Sequence, residues 1–100
     1  MERHVRPLKF LAAAYKDYTE FPAEVQGKMG FALWRAQEGK KHPSAKPLAG
    51  FGNAGVLEVA EDFRGDTYRA VYTVRFADCI YVVHAFQKKA STRSLRPSMK

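Results

Sequence analysis

"TYRAVYTVRFADCIYVVHAFQKKA", Thr67 to Ala90, is the stretch that decides the fold. Two runs rich in Val, Tyr and Phe flank Ala77-Asp78, the pattern of two antiparallel strands joined by a short turn. Side chains alternate across a strand, so Tyr68, Ala70, Tyr72, Val74 and Phe76 share one face. Arg69, Val71, Thr73 and Arg75 share the other. The first set is apolar and predicts a packed face; the second is amphipathic and predicts an open one. A turn at Ala77-Asp78 makes residues whose numbers sum to about 155 lie opposite each other. Arg69 then faces the neighbourhood of Phe86 and Gln87, close to Lys88 and Lys89. Arg64, in the preceding turn, can reach the same end. Like charges gathered in one place repel unless an anion joins them, so this end of the open face is the candidate phosphate site. Arg75 lies roughly 20 Å along the strand from Arg69 and cannot grip the same phosphate. His84, in the second strand, is expected to share a face with Ile80, Val82 and Phe86. It reads either as a hydrogen-bonded core residue or as an acid/base.

Upstream, "VRPLKFL" (Val5–Leu11) opens as a short strand, with Pro7 suited to its start or to an edge. "AAAYKDYTEF" is helical by its alanines. Pro22 suits a first helical position and Glu24 a first turn. Val25, Met29, Ala32, Leu33 and Ala36 then recur at the helical period and make one apolar stripe, closed by Gly39. Gly27 and Gly30 weaken this helix, and close packing against a neighbour is the expected reason. Phe31 and Trp34 read as core or rim residues. His42–Gly55 is a loop by its Pro and Gly content, and its glycines lack a phosphate-loop pattern. "VLEVAEDF" is a strand and the following Arg-Gly-Asp a hairpin turn. The order is β-α-α-β-β-β, an α+β fold with two helices covering one face of a small antiparallel sheet.

One hundred residues make one domain, spanning 1–100, with 91–100 expected to be a disordered, basic tail. Seventeen Lys and Arg against ten Asp and Glu give a formal charge of +7, which favours a polyanionic partner. No apolar run approaches the roughly 20 residues of a membrane span. The basic-then-apolar start is cut short by Lys16 and Asp17, so no signal peptide is expected. The single cysteine, Cys79, reads as a small core hydrophobe in a reducing compartment, and the expected location is the cytoplasm. No His or Cys pair has metal-ligand spacing; neither metal nor cofactor is expected.

The stretch "KPLAGFGNAGVLEVAEDFRGDTYRAVYTVRFADCIYVVHAFQKK" resembles the phage-derived, HigB-like branch of the RelE/ParE toxin superfamily. "YRAVYTVRF" and "YVVHAFQKK" carry the tightest resemblance; the helix opening "FPAEVQ" also fits. The resemblance implies two N-terminal helices on a small antiparallel sheet, and the toxin of a type II toxin–antitoxin pair. It implies a metal-free endoribonuclease that cuts messenger RNA on the ribosome, and a helix-turn-helix antitoxin that holds it in a hetero-oligomer. By motif position Arg69, Lys89 and His84 are the catalytic candidates, and Arg64, Gln87, Lys88 and Arg75 the RNA- or phosphate-binding ones. Relatives continue past the "QKK" motif into a charged C-terminal helix; here the chain ends in "STRSLRPSMK", so that helix is expected to be missing. "VLEVAED" also carries Glu58, Glu61 and Asp62 where relatives often carry basic residues. A ParE-like gyrase inhibitor, and an inactive remnant that binds RNA or a partner, are the competing functions.

Overall fold

A computed structural model describes residues 5–50 and 55–89. The chain runs β1 (Leu8–Phe10), α1 (Ala14–Thr19), α2 (Ala23–Gln37), β2 (Ala45–Pro47), β3 (Val56–Phe63), β4 (Asp66–Thr73) and β5 (Ile80–Lys89). The five strands form one sheet in the order β1-β5-β4-β3-β2. The α+β class and the two helices on one sheet face are as expected. Two details differ. β1 pairs with β5 in parallel, so the sheet is mixed at one edge. β2, inside the presumed loop, pairs antiparallel with β3 through Ala45 and Val59. Three residues ending in a proline are too short to show a strand period, and Pro47 is tolerated because β2 is an edge. The expected C-terminal tail, 91–100, lies outside the described residues. No helix among those described is long and apolar enough to cross a membrane.

The α2 stripe is buried as its spacing requires: Val25, Met29, Ala32, Leu33 and Ala36 are each at most 2% exposed. They meet Val59, Tyr68, Ala70, Tyr72, Ile80, Val82 and Ala85 from the sheet. Full burial of a Val, Leu, Ile or Met side chain contributes about 1.5–3 kcal/mol, so this layer holds the fold together. Pro22 is the N-cap rather than the first helical residue, and its carbonyl accepts the Gln26 amide. At the other end Gly39 has φ +83°, and the amides of Gly39 and Lys40 return to the carbonyls of Ala36 and Arg35. That is a left-handed glycine cap. A chain of rings, Phe10, Tyr18, Phe21 and Tyr68, ties β1, α1 and β4 together at centroid spacings of 5.0–6.0 Å. Gly30 has the expected close neighbour, since a Cβ there would sit 3.3 Å from the Tyr18 hydroxyl. Gly27 does not; nothing lies within 4 Å. Phe31 and Trp34 lie on the outer side of α2, 52% and 42% exposed, because the stripe already fills the inner side.

Arg6 binds the layers at one end. Its guanidinium donates to the carbonyls of Val74, Phe76 and Ala36 at 3.0–3.1 Å. Its own carbonyl accepts from Gln37 Nε2 at 2.7 Å. One side chain thus joins the N-terminal segment, the end of α2 and the β4–β5 connection.

Candidate functional site

The site is built on the sheet face that the helices leave bare. Between β3 and β4 the chain turns on Arg64 and Gly65, with φ +54° and +88°. Positive φ at both central residues suits the tight hairpin turn whose twist matches the strands. The turn pairs Phe63 with Asp66, and the register follows: Ala60 opposite Arg69, Glu58 opposite Val71. β4 and β5 pair Arg69 with Phe86 and Thr67 with Lys88, in the register expected from the sequence. At Val71/Tyr72 that register shifts, and Tyr72 pairs with Val82 while Val71 pairs with His84. The extra residue, Val83, is a β-bulge, a feature common beside active sites.

The bulge decides where His84 points. Before it, Ile80 and Val82 are fully buried against the helices. After it the phase is reversed, and Ala85 takes the buried side. His84 therefore shares a face with Phe86 but not with Ile80 or Val82, correcting that expectation. It is exposed and stacks on Phe86 at 4.9 Å between centroids.

Three rows cross the bare face. One holds Lys46, Glu58, Val71 and His84; the next Ala60, Arg69 and Phe86; the third Asp62, Thr67 and Lys88. Arg69 and Lys88 are diagonal neighbours on adjacent strands, as anticipated. Arg69 is not a free cation. Its Nη1 donates to Glu58 Oε1 at 2.9 Å, and both side chains are partly buried, 30% and 22% exposed. Thr67 donates to Asp62 at 2.7 Å. Around these groups lies a shallow hollow of about 360 Å³, with Ser44 and Lys46 on its far wall.

The other candidates scatter. Gln87 donates to Asp66 Oδ2 at 2.9 Å. Arg64 lies over the Phe63 ring, 5.1 Å from its centroid. Arg75 stands beyond the end of β4, over Phe76 at 5.5 Å, far from Arg69. Phe76 itself is 45% exposed, because the strand ends at Thr73 before reaching it. The backbone of Lys89 closes β5 opposite Asp66; its side chain lies outside the described part of the structure. Glu58 and Lys46 were missed as members of the site. A hairpin register counted from Arg64-Gly65 puts Glu58 diagonal to Arg69, so the first was within reach; Lys46 sits on a strand too short to see.

Residues 16–97 match the family described as "Phage derived protein Gp49-like (DUF891)". The chain belongs to this family. The Gp49-like chain also has the fold of RelE. It is similar to a mutant of the Escherichia coli toxin RelE in the free state, with a TM-score of 0.57 at 20% identity, covering 90% of this chain and 88% of that one. It is similar as well to a chain of the toxin–antitoxin complex RelBE2 from Mycobacterium tuberculosis, with a TM-score of 0.53 at 18% identity, covering 87% and 95%. No curated protein matches it.

Proposed function

We propose that this Gp49-like protein is the toxin of a type II toxin–antitoxin pair and cuts messenger RNA on the ribosome, in the manner of the HigB-like branch it resembles. The observation that carries the assignment is the grouping of Arg69, Glu58, Lys88 and His84 on one uncovered sheet face. The matching folds named as toxins, one of them in a toxin–antitoxin complex, support the pairing with an antitoxin.

The chemistry follows from the residue types. Glu58 is a carboxylate held beside the phosphate-binding arginine, the place for a base that takes the proton of the ribose 2′-hydroxyl. The 2′-oxygen then bonds to phosphorus, and the bond from phosphorus to the 5′-oxygen breaks. Arg69 and Lys88, with Lys89 at the strand end, balance the charge that develops on the phosphate. His84 in its protonated form gives a proton to the leaving 5′-oxygen. The products are a 2′,3′-cyclic phosphate and a 5′-hydroxyl. No metal is required. The partner is a helix-turn-helix antitoxin, and the compartment is the cytoplasm, where messenger RNA is translated.

One observation favours a second reading. The Arg69–Glu58 pair is already electrically satisfied, as suits a remnant that binds RNA or a partner without cutting. Induction in cells, with messenger RNA 5′ ends mapped, separates these. Cuts in phase with codons, lost in Arg69→Ala, are the expected result. DNA damage without cuts would instead point to a ParE-like gyrase inhibitor, and no effect on growth to a binding remnant.

A further inference from the structure

The bare face does not end at His84. Because Val83 is the bulged residue, both Val83 and His84 reach the same side of the sheet. Val83 is 39% exposed and borders a hollow of about 270 Å³ that also touches Leu11, Thr73, Phe76 and Tyr81. Leu11 and Phe76 are 41% and 45% exposed. Phe76 meets Tyr81 edge-on, with centroids 5.4 Å apart, so the two rings form a right-angled corner. Among the described residues no acidic side chain lines the hollow. Cations flank it on both sides: Arg75 over the Phe76 ring, and exposed Lys9, which pairs with Tyr81 across β1 and β5.

The wall is fixed in advance. Arg6 holds the carbonyls of Val74 and Phe76, and the Val74 amide donates to Gly55 at 2.8 Å. The Gly55 backbone approaches so closely that a Cβ there would meet Arg75 Cβ at 3.0 Å. The segment carrying Arg75 and Phe76 is therefore held at two points.

We propose that this hollow is a subsite for one unstacked nucleobase of a single RNA strand, next along from the nucleotide at Arg69. The inference rests on reading the bare face as an RNA site and adds to it a place that reads the base. Four strand rises, roughly 13 Å, separate Arg69 from Thr73, so a neighbouring nucleotide rather than the reacting one reaches the corner. Aromatic side chains offer stacking to any base, and flanking cations hold the backbone on either side. Arg75 leaves the Phe76 ring for a phosphate when the base arrives. An acidic protein segment would also find the cations, but continuity with Arg69, Lys88 and His84 on one face favours RNA.

The test is equilibrium binding at low salt of two uncleavable probes: a 2′-O-methyl oligouridylate, and an abasic 2′-O-methyl ribose–phosphate chain of equal length. The wild-type protein should bind the base-bearing probe about tenfold more tightly, the effect of one stacked base. Phe76→Ala, exposed and so safe for folding, should erase that preference and leave abasic binding unchanged. Arg69→Ala should weaken both probes alike. Equal binding of the two probes by the wild type, or a preference that survives Phe76→Ala, overturns the subsite and leaves the RNA reading standing. Failure to bind either probe removes the RNA reading and the subsite together. If Phe76→Ala instead abolishes capture of the antitoxin with base preference intact, the hollow belongs to a protein and the proposal is overturned.

Discussion

Arg69 Nη1 and Glu58 Oε1 lie 2.9 Å apart on the uncovered face of the sheet, an ion pair between neighbouring strands. Because both groups are partly exposed, solvent screening limits what the pair contributes to folding. Glu58→Gln and Arg69→Ala should each lower unfolding stability by no more than about 1 kcal/mol, with a coupling in the double mutant smaller still. Their effect on cutting should be far larger, about 10²–10⁴-fold for Glu58→Gln if the carboxylate takes the 2′-hydroxyl proton. Denaturant titration beside a cleavage assay checks both. A Glu58→Gln protein that cuts at the wild-type rate removes Glu58 as the base.

Arg6 predicts the opposite pattern. It touches nothing on the candidate site's charged rows, yet it satisfies three carbonyls from two distant parts of the chain. Arg6→Ala should lower stability by about 2–3 kcal/mol, the scale of hydrogen bonds from a charged donor, and Arg6→Lys should recover only part of it. A change under about 0.5 kcal/mol by denaturant titration would show that these bonds are replaced by water without loss.

The glycines separate by geometry. Gly27→Ala meets empty space inside a helix and should raise stability by about 1 kcal/mol. Gly55→Ala must adopt φ +72° and press on Arg75, and should lower stability by about 1–3 kcal/mol. Thermal melts of the two single mutants should move in opposite directions.

Burial pushes the Tyr72 hydroxyl up to about 12 and raises that of Tyr18 as well. An unfolded tyrosine ionises near pH 10, so above that the unfolded state loses a proton that the native state keeps. Stability is therefore full below pH 10 and falls as pH rises toward 12, by about 1.4 kcal/mol per unit for Tyr72 alone. Tyr72→Phe should flatten most of that slope, and a melting series across this range measures it.

The sequence showed what depends on short range. The α2 stripe was legible because the 3.6-residue period needs only the helix itself, and all five of its residues are buried. The pairing of Arg69 with Phe86 agrees with a count from a turn at Ala77-Asp78 only through the bulge. Next to the turn the pairs, Thr73 with Tyr81 and Tyr72 with Val82, fall one residue short of that count, and Val83 makes up the difference. The parallel contact of β1 with β5 joins residues about 70 positions apart, with no intervening turn to count from. The bulge was invisible for another reason. Ile80 to Phe86 is apolar enough on both sides that one slipped residue leaves the pattern almost unchanged, and only burial shows that His84 has crossed over. The cations at one end of the face were legible. That Arg69 already holds an anion of its own was not, since it depends on which diagonal neighbour a side chain chooses.

The inserted residue at position 83 makes β5 a strand of two parities. On one side of it the odd-numbered side chains look outward, on the other the even-numbered ones do. Deleting Val83 alone would therefore give the strand a single parity: Val82 and His84 become neighbours on opposite faces, Tyr81 and the charged rows keep their sides, and only the bulge and its share of the hollow are lost. A single insertion or deletion elsewhere in this strand should be far less tolerated, because it turns one half to the wrong face.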